Sequence, residues 1–459
     1  MQVILGATMA RRDGVLGDAR RDVRAAWMVE RIVSAGSLQL RELGGTRSGE
    51  IAAHRFLSSE KINPAALLVP HAKRTAAACK GRRVVAVQDT SEINFARHRR
   101  PAAGLGPTGN TGVHGFFVHP VVAVDAADEA LLGVVGARIW TREEEPTPDH
   151  RGVPFDDKES RRWLEAAEIA ATELAPDAEQ VIVVSDQEGD IYAMFAGRPA
   201  TIEFAVRAHH DRVLATSGTL FGAPASWPTL GTAEVKIAPK RPGDKGRTVT
   251  VTLKAGMVTI KRPKGITNLQ TAATLTLGLV EVREDLAPAG VDKPLVWRLL
   301  TTLPAATLSD AQEVVRLYRL RWRIEEVFRV LKSNGLNIED SRLETAGRLL
   351  NLAALALVSA ARIIQLVDAR DVSSRPATDV VDCDDIPAAA AICATLEGAT
   401  SRQKNQHPQG SLAWLAWIVA RLGGWNCYYK PPGPKTMARG LDRLFDRIEG
   451  FKLAAALNV

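Results

Sequence analysis

Two short runs of β-branched residues, each followed by an aspartate, most constrain how this chain can fold. RRVVAVQD ends at Asp89, and EQVIVVSD ends at Asp186. Short apolar runs rich in valine and isoleucine are typical of buried strands. We therefore expect both aspartates to lie at the ends of buried strands, although an aspartate in that place is often only a turn or helix cap.

The patterns around these runs predict an α/β protein. Residues 115–126 and 129–141 have the composition of further strands of the same sheet, and residues 158–175 have the apolar spacing of a helix. Residues 1–75 are helical and basic, whereas residues 201–303 are β-rich with many turn residues. Helical patterns dominate the rest of the chain.

The composition is that of a globular protein with a weak preference for anionic partners. The 459 residues are 46% hydrophobic and 24% charged, which allows a large core and roughly two to four domains. Lysine and arginine outnumber aspartate and glutamate by 59 to 52, which is a mild excess. Four widely spaced cysteines indicate neither a zinc site nor a disulfide framework.

The first residues and the longest apolar run predict a soluble cytoplasmic protein. MQVILGATMARRDG places its arginines after a short apolar run, the reverse of a signal peptide. The longest apolar run, residues 352–361, is too short to span a bilayer and is followed by Arg362.

The segment YRLRWRIEEVFRVLK combines arginines, aromatic residues and two adjacent glutamates. On one continuous helix at about 100° per residue, Tyr318, Arg321, Glu325 and Lys332 fall within an arc of about 60°. Spaced salt bridges are the ordinary explanation for such a stripe, and they account for Arg321 with Glu325. They do not account for Tyr318 and Lys332, which indicates a binding surface instead.

A cluster of three carboxylates would explain the stripe. If Asp89, Asp186 and Glu325 meet in space, their mutual repulsion requires a cation. Oxygen ligands of this kind suit Mg²⁺, which completes its shell with water and substrate phosphate oxygens. Two ions about 3.5 to 4 Å apart can stabilise the attacking and leaving oxygens of a phosphoryl transfer. The surrounding cations would then contact phosphates.

These motifs resemble those of the cut-and-paste DDE transposases of bacterial insertion sequences, in the IS-four family and its Tn-five branch. The similar segments are VQDTS around Asp89, VSDQEGDI around Asp186, WRLLTT from Trp297 onwards, and YRLRWRIEEVFRVLK. The last segment matches the family's Y-x-x-R-x-x-x-E-x-x-x-x-x-x-K signature at every fixed position. Gln187 and Gly189 depart from the family's D-R-E-A-D-I motif, but neither would be a ligand.

The resemblance implies an RNase H-like mixed-sheet core interrupted by a β-rich insertion. The core would comprise residues 76–200 and 304–369, and the insertion would comprise residues 201–303. Residues 1–75 would form a helical domain that binds transposon ends. Residues 370–459 would form a linker and a helical dimerisation region.

The resemblance also implies roles for the acidic residues. Asp89, Asp186 and Glu325 would be the catalytic ligands of two Mg²⁺ ions, with Mn²⁺ as a substitute. Three neighbouring acids are interpreted as structural: Glu188, Asp190 and Glu326.

DNA contacts are implied in the same way. Tyr318, Arg321 and Lys332 would contact phosphates near the cleavage site, and Trp297 would stack on a base flipped from the transposon end. Five further cations are candidate end-binding residues: Arg55, Arg207, Lys240, Arg241 and Arg247. The ordinary alternatives are a half-buried core tryptophan and, for the basic segment 236–264, a solvated hairpin edge.

The implied activity is cut-and-paste transposition by a homodimer on double-stranded DNA. Mg-dependent nicking would be followed by hairpin formation, hairpin opening and strand transfer into target DNA. Two alternatives are a catalytically inactive relative that binds DNA and inhibits transposition, and a hydrolase that uses paired carboxylates on another substrate, such as a glycosidase. Cleavage of end-bearing DNA with Mg²⁺ and salt-sensitive DNA binding would separate the three.

Overall fold

The computed structural model describes residues 14–98, 100, 102–109, 112–143, 153–237, 246–266, 268, 271–285, 294–333, 335–371, 373 and 375–456. In this part of the chain, eleven strands form one mixed sheet, with helices packed around it and at both ends of the sequence. The α/β class predicted from the sequence is therefore confirmed.

The first seven strands form one half of the sheet. They are β1 (Arg83–Gln88), β2 (Ser91–Asn94), β3 (Gly106–Pro107), β4 (His114–Asp125), β5 (Leu131–Trp140), β6 (Gln180–Ser185) and β7 (Glu203–Arg207). β4 pairs antiparallel with β1 and β5, and β6 is parallel to both β1 and β7. The order β5-β4-β1-β6-β7, with an antiparallel side and a parallel side, is that of an RNase H-like core.

Strand β1 shows why its sequence is apolar at every position. Val84 and Ala86 belong to one hydrophobic core, and Val85 and Val87 belong to another. Because successive side chains point to opposite faces of a sheet, a strand covered on both faces is apolar throughout. The continuous valine runs thus reflect a sheet between two layers of helices.

The remaining strands extend the same sheet. They are β8 (Gly231–Ile237), β9 (Arg247–Lys261), β10 (Thr274–Arg283) and β11 (Val296–Thr301). All four are joined antiparallel, and β11 pairs antiparallel with β7. β7, which lies within the predicted insertion of residues 201–303, is parallel to β6 and so continues the parallel side of the sheet.

The helices cover both faces of the sheet and form the two ends of the chain. They are α1 (Ala19–Ala35), α2 (Leu40–Gly44), α3 (Arg47–Leu57), α4 (Pro64–Cys79), α5 (Arg162–Leu174), α6 (Tyr192–Gly197), α7 (Leu308–Arg319), α8 (Trp322–Lys332), α9 (Ala346–Ala369), α10 (Ile386–Leu396), α11 (Leu412–Leu422) and α12 (Pro434–Ala456). Side-chain caps start several of them: Asp18, Thr46 and Asn63 each accept a backbone N–H bond.

The prediction of one continuous helix for residues 318–332 is wrong in one respect, because the structure divides them between α7 and α8. Around Arg321 the backbone bonds tighten to the i to i−3 pattern, with Arg321 N donating to Tyr318 O and Ile324 N donating to Arg321 O. Tyr318 therefore ends one helix, while Glu325 and Lys332 belong to the next. The predicted common arc does not run along one continuous helix.

Helix α9 is the central helix of the protein. It has 24 residues, and by length and composition it could cross a bilayer, which the ten-residue apolar run 352–361 within it is too short to do. Most of its surface is buried inside the protein, and α1, α4, α8 and α11 pack on it. A helix that is apolar on every side is expected where protein surrounds it.

The C-terminal helices pack onto the N-terminal ones. Helix α11 is buried along almost its whole length, and α12 packs against α1 and α11. An ion pair of 3.4 Å joins Arg31 of α1 to Asp446 of α12. Helices α11 and α12 therefore belong to the core of the single chain.

Candidate active site at the ends of strands β1 and β6

Asp89 and Asp186 follow two neighbouring parallel strands in matching register. Val87 of β1 is aligned with Val184 of β6, so the two aspartates, each two residues further on, lie at the same edge of the sheet. Asp89 Oδ1 accepts a bond of 2.8 Å from Thr90 N, and Asp186 Oδ1 accepts one of 2.9 Å from Glu188 N. Each aspartate caps its own turn, but the register also brings the two together.

Glu325 reaches this edge from helix α8, which packs against β1. The contact is made through Arg321, whose Nη1 donates to Asp89 Oδ2 at 2.8 Å and to Glu325 Oε1 at 3.4 Å. One guanidinium nitrogen thus joins two of the three predicted ligands.

The ionisation of Asp89 reflects all three acids. Burial raises the pKa of Asp89 to about 7, and the negative charges of Asp186 and Glu325 act in the same direction. The positive charge of Arg321 and the Thr90 N–H bond act in the opposite direction. The three acids therefore share one electrostatic neighbourhood.

These carboxylates fit a divalent ion in chemical kind, but their arrangement is not a formed metal site. Within the described ranges, no group of three histidine, cysteine, aspartate or glutamate residues is placed to hold an ion. Arg321, with its side chain 9% exposed, instead neutralises Asp89 and Glu325. Oxygen ligands of this type suit Mg²⁺ or Mn²⁺ once the guanidinium has moved away.

A polar groove of about 640 Å³ opens beside the acids. Asp89, Glu325 and Lys332 line it, and Lys332 Nζ donates to Glu92 O at 2.7 Å. Two cations that the sequence did not single out, Arg97 and Arg329, also line it. Arg329 lies one turn from Glu325 on α8, which is the signal that could have identified it.

Comparison with known families decides the class of protein. A family model described as "Transposase DDE domain" matches residues 117–361, just over half of the chain. The chain belongs to the DDE transposase family. The match includes Asp186 and Glu325 and begins after Asp89. The protein is thus a DNA transposase, an enzyme of DNA recombination, and enzymes of this family use divalent metal ions.

The two aromatic residues predicted to contact DNA are buried in the transposase. Trp297 is 7% exposed and Tyr318 is 4% exposed, and their rings meet edge to face at 5.4 Å. Trp297 thus occupies the core position that was its ordinary alternative. The exposed ring beside the site is Trp322, 45% exposed, with the Arg321 guanidinium 4.7 Å from its centre.

The other predicted DNA contacts of the transposase are in varied settings. Arg207 Nη2 donates to Val296 O at 3.3 Å. Its positive charge acts to lower the pKa of Tyr318, so Arg207 is close to the site. Arg247 is engaged by both carboxylate oxygens of Glu284, which favours a structural role. Arg55 is exposed on α3. Two predicted contacts lie outside the described residues: Lys240 and Arg241.

The three acids interpreted as structural all have cationic partners. Asp190 forms a buried pair of 2.5 Å with Arg212, and Glu188 is 3.2 Å from Arg162. Glu326 bonds to Arg323. These ion pairs favour a structural role for the three acids.

A buried network behind Asp89 was not predicted from the sequence. His119 bonds through Nδ1 to Thr90 Oγ1 at 2.8 Å and through Nε2 to Gln88 Oε1 at 3.1 Å. Arg162 Nε also donates to Thr90 Oγ1, at 3.0 Å. Burial holds the pKa of His119 well below its usual value, so the ring is neutral. The network fixes the end of β1 on either side of Asp89.

Proposed function

We propose that the transposase moves DNA by a cut-and-paste route, as a member of the IS-four family and its Tn-five branch. The observation that carries the proposal is the meeting of Asp89, Asp186 and Glu325 in one electrostatic neighbourhood beside a polar groove. A complete Y-x-x-R-x-x-x-E-x-x-x-x-x-x-K signature supports the assignment to this branch.

The three acids are the proposed ligands of two Mg²⁺ ions. When bound, such ions activate an oxygen nucleophile and stabilise the leaving oxygen. The side chains of the protein position the DNA: Lys332 and Arg329 line the groove and offer charge-assisted bonds to phosphate oxygens. The network of Thr90, His119 and Arg162 keeps Asp89 in place while the strand is bound.

The proposed reaction has four phosphoryl transfers. Water first attacks a phosphodiester at the transposon end and releases a 3′-OH. That hydroxyl attacks the opposite strand, which closes a hairpin and frees the flanking DNA. A second water opens the hairpin, and the 3′-OH then attacks the target DNA. Each step exchanges one P–O bond for another, so no covalent enzyme intermediate is needed.

Hairpin formation requires a base to leave the stack near the bend. Stacking on an aromatic ring, at about 1 to 3 kcal/mol per base, offsets part of the unstacking cost. Trp322 is already exposed beside the acids and fits this role as the protein stands. The role predicted for Trp297 needs that ring to leave its contact with Tyr318 when DNA binds.

The active unit is proposed to be a homodimer on paired transposon ends, in the bacterial cytoplasm, with residues 1–75 binding the ends. Deletion of residues 411–459 is a poor test of dimerisation, because it would uncover the core around α9 and α1. Two exposed side chains of α12, Phe451 and Leu453, offer a surface test instead. Substituting both by serine should weaken the dimer while leaving the chain folded.

The decisive experiment is cleavage of duplex DNA carrying the inverted repeats that flank the gene. Purified protein with Mg²⁺ should produce nicks and then hairpins, resolved on a denaturing gel, and EDTA should stop both. Binding of the ends without any cleavage would favour the inactive inhibitor of transposition. Double-strand breaks that never pass through a hairpin would remove the Tn-five type of mechanism. Family membership leaves no support for the glycosidase alternative.

A further inference from the structure

Arg321 lies between two of the proposed metal ligands, Asp89 and Glu325. Its Nη1 is 2.8 Å from Asp89 Oδ2 and 3.4 Å from Glu325 Oε1. We propose that Arg321 is the internal counter-ion of the metal-free site, that it competes with the divalent ion for these carboxylates, and that a DNA phosphate draws it away. This inference rests on the proposed function, since it concerns how the same site acquires its metal.

The competition follows from simple electrostatics. A divalent ion bound at about 2.1 Å to oxygens of Asp89 and Glu325 would approach the guanidinium closely, and like charges in a partly buried site repel strongly. Either cation neutralises the acids, but both cannot do so through the same oxygens. The metal-free arrangement, in which Arg321 is bonded to both acids, therefore competes with the binding of a divalent ion.

The surroundings of Arg321 allow it to change partners. It lies at the break between α7 and α8, where the helical bonding is interrupted. Its Nε is buried with no hydrogen-bond partner among the described residues, so the donor fork is incompletely satisfied. A phosphate would accept two parallel bonds from that fork. The exposed Trp322 ring lies against the same guanidinium, 4.7 Å from its central carbon.

The linkage has a functional consequence. If phosphate binding removes the competitor, DNA tightens metal binding, and by reciprocity the metal tightens DNA binding. A transposase without DNA would then hold its metal weakly. Arg321 would thus act as a positioning residue that couples metal loading to the presence of substrate.

The test is Mn²⁺ binding to the full-length protein without DNA, measured by electron paramagnetic resonance of the free ion. Arg321→Gln should bind Mn²⁺ about tenfold or more tightly than the wild type, because a competing charge has gone. Arg319→Gln is the matched control, since it removes the same charge from the last turn of α7, two residues from Arg321. We expect Arg319→Gln to stay within about twofold of the wild type.

A purely structural role for Arg321 predicts the opposite sign. A damaged site would bind Mn²⁺ more weakly, so an affinity equal to or below that of the wild type would overturn the proposal. If Arg321→Gln does not give the far-UV spectrum of the wild type, Arg321→Lys retains the charge for folding. Its compact ammonium is strongly hydrated and lacks the fork, so this variant should bind Mn²⁺ about threefold more tightly. No change in the lysine variant would also overturn the proposal.

A second arm measures the same affinities with duplex end DNA present. DNA should tighten Mn²⁺ binding more in the wild type than in Arg321→Gln, and equal tightening in both would contradict the linkage. The outcomes also separate this proposal from the proposed function. If the wild type binds Mn²⁺ and cuts DNA but the variants bind no more tightly, only the competition fails. If the wild type neither binds Mn²⁺ nor cuts, both fail.

Discussion

The two faces of helix α8 carry adjacent glutamates in different electrostatic settings. Glu326 bonds to Arg323, which also bonds to Asp368 of α9, and this pairing ties α8 to the central helix α9. Glu325 faces the groove and shares one long contact with Arg321. Their side chains are 38% and 40% exposed, so exposure does not separate them. We call the Glu326 side closed because its cation, Arg323, is bonded to both Glu326 and Asp368, and the Glu325 side open because its one contact, with Arg321, is long.

The largest expected effect comes from exchanging the two carboxylates for amides. Glu325→Gln should lower DNA cleavage by about a thousandfold or more, because it removes one of the three proposed metal ligands. End binding, measured by gel shift, should be retained. Glu326→Gln is the matched control on the next residue and should keep most of its cleavage rate. Similar losses in both variants would mean that the groove face has no special chemistry.

Two tryptophans show a similar contrast, because Trp297 is buried and Trp322 is exposed. Trp297→Ala should lower the free energy of unfolding by about 3 to 5 kcal/mol, since it leaves a cavity beside Tyr318. Trp322→Ala should leave stability nearly unchanged but slow hairpin formation more than the first nick, by about 1 to 3 kcal/mol of lost stacking. Denaturant unfolding and single-turnover gels measure the two quantities.

The sequence itself predicts a different result for Trp297. If Trp297 stacks on the flipped base, Trp297→Ala slows hairpin formation selectively at temperatures where the variant is folded. Equal slowing of the nick and the hairpin would remove that role. A selective defect in Trp297→Ala and none in Trp322→Ala would show that the buried ring leaves the core on DNA binding.

A pH experiment tests the ionisation of Asp89, which shares Arg321 with Glu325 on the open side. Because the pKa of Asp89 is raised to about 7 from an ordinary 3.8, the metal-free folded chain holds a proton there that the unfolded chain loses near pH 4. This contribution to stability is complete below pH 4 and is lost as pH rises to about 7, by about 2 to 4 kcal/mol. Asp89→Asn has no carboxyl proton to lose at this position. In EDTA, the stability of this variant relative to the wild type should therefore increase over this pH range.

A suitable control for the pH series is Asp371→Asn, since Asp371 is 77% exposed in its side chain. Its melting temperature should follow that of the wild type at every pH from 4.5 to 8. If Asp89→Asn also follows the wild type, Asp89 is ionised throughout, and the burial and acid neighbours described above do not govern it.

Local sequence predicted some of this site and could not predict the rest. Runs of β-branched residues placed Asp89 and Asp186 at strand ends, because the pattern of a strand covered on both faces is written in consecutive residues. The partner of Arg321 is 232 residues away, and no local pattern carries that information. For the same reason the sequence missed the pairing of Arg247 with Glu284, and it left the burial of Trp297 as one of two alternatives.

The smallest expected effect comes from the closed side, and it shows whether that side is only structural. Arg323→Met leaves Glu326 and Asp368 without their cation, with Asp368 only 15% exposed. Breaking a partly buried ion pair in this way should lower the unfolding free energy by about 2 kcal/mol. Arg329→Met, an exposed control on the same helix, should cost less than about 0.5 kcal/mol. Cleavage by Arg323→Met should fall only in proportion to the folded fraction. A selective catalytic loss in a fully folded sample would mean that the closed ion pairs also set the position of Glu325.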